Sequence, residues 1–171
     1  FESDSRVAGV AEDGAVLVVE PSRLVHWNYR AGSQQSLQVE FSARIRSMAT
    51  SPGSSNLYFA RKDSLGHSLW RWSPGSDAIE EVLSTLDEIQ SVWVHEPAGM
   101  GYVGINGAYG EMTHAINIDT GEVLDDQLPF IMRFRDSVSL VLGCFAVMGN
   151  RHAYVLSTDA RYGACDWLEF G

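Results

Sequence analysis

Residues 56–75 read NLYFARKDSLGHSLWRWSPG, and they set the pattern for the whole chain. Leu57, Tyr58 and Phe59 form an apolar and aromatic run. Leu69, Trp70 and Trp72 answer it across a polar segment, and Ser73-Pro74-Gly75 closes the unit. Strand formers bounded by Gly, Pro, Asp and Ser are the signature of a β-hairpin. Working outward from this unit, the same order recurs three more times.

Each of four segments opens with a strand: Arg6–Ala11, Arg44–Thr50, Ile89–His95 and Val138–Cys144. Turn-forming residues follow, such as Glu12-Asp13-Gly14 and Glu96-Pro97-Ala98-Gly99. Second strands are expected over Ala15–Val19, Leu57–Ala60, Gly101–Ile105 and Ala153–Leu156. Third strands are expected over Leu24–Tyr29, Leu69–Ser73, Ala115–Ile118 and Asp166–Phe170, and they give the clearest alignment. Counted from Arg23 to Ser68, His114 and Cys165, the spacings are 45, 46 and 51 residues. Fourth strands fit Leu37–Phe41, Ile79–Leu83 and Val123–Gln127, and the last segment stops before one.

Four strands per repeat of this length point to the blades of a β-propeller. The reason is burial: a four-stranded meander has two apolar faces and needs neighbours to cover both. The reading is an all-β chain of about four four-stranded antiparallel blades, at residues 6–42, 43–86, 87–132 and 133–171. A β-sandwich or barrel also accommodates short strands at regular spacing. The second blade, with Ser51-Pro52-Gly53 and Leu69-Trp70, resembles blades of TolB-like and WD-repeat-like propellers. Ile118-Asp119-Thr120-Gly121 in the third matches the closing turn of that group; Ser51-Pro52-Gly53 lacks its Asp. The resemblance implies a scaffold that serves binding platforms, sensors and enzymes alike, so function has to be argued from a site.

Composition narrows the classes. Twelve Lys and Arg stand against 22 Asp and Glu, a net charge of −10, which disfavours nucleic-acid backbones. No apolar run reaches the length of a membrane span. The longest, Val138–Met148, contains Ser139 and Gly143. The chain begins at Phe1, and its last blade lacks a fourth strand; both favour a ring completed by a further segment or a second copy. The rival is a four-bladed ring clasped by Phe1-Glu2-Ser3. A periplasmic or extracellular setting is slightly favoured over the cytoplasm.

No motif for chemistry stands out. The five His have no His-x-x-x-His spacing and the two Cys no Cys-x-x-Cys spacing, so no metal and no cofactor is expected. Glu80-Glu81 and Asp125-Asp126 are adjacent on strands and point to opposite faces, so neither is an acid–base pair. Cys144 on a first strand and Cys165 on a third stand two strand spacings apart, about 9.6 Å, which predicts free thiols rather than a disulfide.

A propeller gathers its blade-to-blade connections and its second-to-third-strand connections on one rim. That rim collects Arg44, Arg61, Lys62, Asp63, His67, Asp87, Glu88, Tyr109, Glu111, His114, Arg133, Arg135, Asp136, Arg161 and Tyr162. Loops on a rigid scaffold carry function, and Arg and Tyr anchor interfaces. The expectation is a non-catalytic module that binds a protein or small ligand on this rim. The alternative is a propeller hydrolase acting at the central channel, with Arg44, Arg46, Glu88 and Asp136 as candidates. Strands of alternate parity are expected to bury Val16, Val18, Leu57, Phe59, Leu69, Val92, Val94, Val103, Val141 and Val155.

Overall fold

The structure is a computed structural model that describes residues 5–39, 45–51, 54–62, 64, 66–108, 110–128, 137–141, 144–148 and 153–157. The first sheet contains β1 (Arg6–Val10), β2 (Val16–Val19), β3 (Arg23–Asn28) and β4 (Ser33–Gln38). The second contains β5 (Ile45–Thr50), β6 (Leu57–Lys62), β7 (His67–Trp72) and β8 (Ile79–Thr85). The third contains β9 (Glu88–His95), β10 (Met100–Gly107), β11 (Gly110–Asn117) and β12 (Val123–Leu128), with a 3-10 turn at Glu96–Ala98. A three-stranded sheet follows, of β13 (Ser137–Val141), β14 (Cys144–Met148) and β15 (Ala153–Ser157). Every pairing is antiparallel and between strands consecutive in the chain.

These sheets are consecutive blades of a β-propeller. The first strand of each blade is its innermost: β5 packs against both β1 and β9, and β6 and β7 also reach β9. Among the described residues, no helix is long and apolar enough to cross a membrane.

Blade two shows how one strand serves two neighbours. On β6, Leu57 and Phe59 join a core with Leu17, Val19, Leu24 and Trp72, between blades one and two. Tyr58 and Ala60 join the other core, with Val92, Val94, Val103 and Ile116, between blades two and three. All four consecutive residues are therefore buried. Successive side chains leave a strand on opposite faces, and here both faces are covered. The expected core of one parity is thus only half of the observed one. Val18, Leu57, Phe59, Leu69, Val92, Val94 and Val103 are buried as expected, whereas Val16, at the open end of β2, is half-buried. Of Val141 and Val155 the backbone alone is described.

Two glycines mark close approaches between blades. A Cβ on Gly9 would lie 2.4 Å from Thr50 Oγ1, so β1 meets β5 only because residue 9 has no side chain. Gly121 has φ +71°, and a Cβ there would lie 2.0 Å from the Val82 carbonyl oxygen of blade two.

The fourth blade corrects the sequence reading. The apolar run placed in one strand, Val138–Cys144, is two: β13 ends at Val141, and Cys144 opens β14 directly opposite it. The strand over residues 153–157, expected to be second, is third. The turn signal within the run is Gly143 alone, which the division into strands did not use. Cys144 therefore sits on a second strand, and the two-spacing argument against a disulfide loses its premise. Cys165, the expected strand Asp166–Phe170 and the proposed clasp Phe1–Ser3 lie outside the described residues.

Candidate functional site

Strand register places three residues at equivalent points of the three innermost strands. In blade two Ser47 stands opposite Ala60, and Met48 opposite Phe59. In blade one Arg6 stands opposite Val19, and Val7 opposite Val18. In blade three Ser91 stands opposite Gly104, and Val92 opposite Val103. Each ladder shifts register beside these residues, between Val7 and Gly9, between Ile45 and Ser47, and between Gly104 and Ile105. Such bulges re-aim side chains and gather near functional sites. Arg6, Ser47 and Ser91, with Val7, Met48, Val92, Ala8 and Trp93, line a cavity of about 260 Å³. It lies toward the end of the innermost strands that receives the blade-to-blade connections.

Arg6 is the charged group of this cavity. Its Nη1 donates to the Ile45 carbonyl oxygen at 2.9 Å, carrying the guanidinium from blade one to blade two. The other arginines whose side chains are described are engaged differently. Arg23 pairs with buried Glu20, and Arg71 with Glu80 and Asp119. Arg61 stacks 5.0 Å over the Trp70 ring, and Arg30 lies 5.7 Å from the Tyr29 ring centre. Among the described residues no carboxylate comes within ion-pair reach of Arg6. Ser47 and Ser91 are both buried, and with the guanidinium they give the cavity polar points on all three blades.

At the opposite end, a network ties blade two to blade three. Tyr58 OH donates to Glu96 Oε1, which also accepts from Asn56 Nδ2 at 2.6 Å. The Glu96 backbone N–H donates to Ser51 Oγ at 2.9 Å. Arg71 donates to Glu80 Oε2 from Nε and Nη2, and to Asp119 Oδ1 at 3.1 Å. Burial and the Glu96 carboxylate push the Tyr58 phenol well above its ordinary value. The hydrogen bonds to Glu80 raise the Arg71 guanidinium. These groups satisfy one another, which makes the network an interblade clasp.

Of the rim residues expected from sequence, Arg61, Lys62, His67, Asp87, Glu88, Glu111 and His114 are described. Arg61 shares the face of Phe59, toward blade one. His67 shares the face of Ala60 and Lys62, toward blade three, and is buried. His114 stands opposite Val103 and so faces blade two; its Nε2 is buried without a hydrogen-bond partner among the described residues. Glu88 opens β9, half-buried, opposite Asn106. The rim thus divides over two blade interfaces. Arg44, Asp63, Tyr109, Arg133, Arg135, Asp136, Arg161 and Tyr162 lie outside the described residues, as does the side chain of Arg46. Among the described residues no group of three His, Cys, Asp or Glu is placed to hold a metal ion.

Sequence reasoning missed Arg6, Ser47 and Ser91 because it looked to loops. The available signal was their common place ahead of each first-strand turn, which needs the register to be aligned.

No family pattern and no curated protein matches the sequence. Among solved structures the chain is similar to an acylaminoacyl peptidase in complex with Z-Gly-Gly-Phe-chloromethyl ketone. The TM-score is 0.52 at 11% identity. The likeness covers 92% of this chain and 30% of that one, so this chain spans less than a third of its neighbour's length. At that identity the likeness bears on the fold alone.

Proposed function

We propose that the chain is the binding part of a β-propeller, with its ligand seat in the cavity between β1, β5 and β9. The observation that carries this reading is the convergence of Arg6, Ser47 and Ser91 from equivalent positions on three blades. A few precisely placed polar groups converging in a concave site are what orient a small ligand. The packing of β5 against both β1 and β9 holds these groups in place.

A second reading is a propeller hydrolase acting at the channel, which the likeness to acylaminoacyl peptidase favours. One titration separates the two. N-acetylphenylalanine and the blocked peptide Z-Gly-Gly-Phe are added to isotope-labelled protein, and amide shifts and free phenylalanine are followed. Shifts confined to residues 6–8, 47–48 and 91–93, with both compounds intact, support the binding reading. Release of phenylalanine supports the hydrolase. Shifts elsewhere on the blades, or none, contradict a seat at the channel.

A further inference from the structure

We propose that the cavity takes a carboxylate joined to a small apolar group; this rests on the reading of the cavity as the ligand seat. In a chain of net charge −10, a cation lining a cavity with no carboxylate of a described residue in ion-pair reach stands out. Every other arginine with a described side chain is matched to a carboxylate or an aromatic ring. Among the described residues Arg6 donates one N–H, to Ile45 O, and a guanidinium has five. The remaining donors suit a carboxylate, which Arg binds through two parallel bonds. Ser47 and Ser91 line the cavity at the equivalent points of the next two blades. The other lining residues carry apolar side chains, Val7, Ala8, Met48, Val92 and the Trp93 indole, beside polar surface. The site therefore reads as one anionic group with a short apolar body. A dianion would meet one cation inside an acidic protein, and a cation would meet Arg6 itself.

The carboxylate can belong to a peptide C-terminus or to a free organic acid, and the probes distinguish these. Calorimetry compares N-acetylphenylalanine, its amide and 3-phenylpropionate on the full chain. The acid is expected to bind about tenfold or more tighter than the amide, as a hydrogen-bonded charge pair implies. That preference should vanish in Arg6→Gln and persist in part in Arg6→Lys. N-acetylphenylalanine exceeding 3-phenylpropionate assigns the seat to peptide termini; equality assigns it to small acids. If Arg6→Gln fails to fold, the wild-type salt series decides: added salt weakens the acid and leaves the amide unchanged. Acid and amide binding equally at the cavity overturns the carboxylate inference while the seat stands. Neither probe shifting residues 6–8, 47–48 or 91–93 overturns the seat as well.

Discussion

The phenol of Tyr58 on β6 donates its proton to Glu96 Oε1 on the 3-10 turn of the next blade. Tyr58 is fully buried, and its ring lies in the apolar core between those blades. One side chain thus fills the interface and fixes its register. Tyr58→Phe keeps the ring and removes the bond to a carboxylate, which is expected to cost about 1.5–3 kcal/mol. Urea denaturation measures it, and a loss under about 0.5 kcal/mol, the scale of ordinary surface changes, contradicts the clasp.

The same bond sets an alkaline limit. The Tyr58 phenol is raised in the folded state from an ordinary value of 10.0. The unfolded chain therefore loses this proton first. The contribution is intact below pH 10 and falls as pH rises from there toward the folded-state value. Wild-type protein should lose stability more steeply above pH 10 than Tyr58→Phe. Parallel curves would assign the loss to other groups.

In the acid range, Asp13 accepts the Ala15 N–H at 2.9 Å and lies 3.2 Å from His26 Nε2. The backbone bond chiefly, and His26 with it, hold the carboxyl below its ordinary 3.8. Its contribution is present above pH 3.8 and is lost as pH falls through the lowered folded-state value. Asp13→Asn should flatten the dependence of the denaturation midpoint below pH 4. Burial lowers His95 as well, from 6.5. Its imidazole signals should titrate below that value in NMR spectra; a midpoint at or above 6.5 contradicts the burial of this side chain.

Packing between blades yields two further tests. Phe59→Ala removes a fully buried ring between blades one and two, at an expected cost of about 3–5 kcal/mol. A loss below 1 kcal/mol would remove Phe59 from that interface. Gly9→Ala sets a methyl against Thr50 and should cost about 1–3 kcal/mol by overpacking. Thr50→Ala in the same chain should recover part of that loss. An additive double variant would separate β1 from β5 at this point.

The blades were legible where turns punctuate the apolar runs. Leu57–Phe59 and Leu69–Trp72 stand between Ser, Gly and Pro, so their strands and their pairing follow from local residues. In the run from Val138 to Met148 a single Gly, Gly143, falls between Val141 and Cys144, and this lone turn signal was passed over. Burial on both faces, seen at Tyr58 and Ala60 beside Leu57 and Phe59, is a property of stacked blades and not of one strand. The same holds for Arg6, Ser47 and Ser91. They are far apart in sequence and meet because the first strands of three blades pack in series around one cavity. Glu96 is 38 residues from Tyr58, and no spacing rule joins them.

The most direct test of the ligand seat is a structure of the chain bound to N-acetylphenylalanine at a concentration that saturates it in solution. The expected result is the carboxylate within hydrogen-bond reach of Arg6, with the ring against Val7, Val92 and Trp93. A ligand bound outside the cavity, or an empty cavity under saturating conditions, contradicts the account.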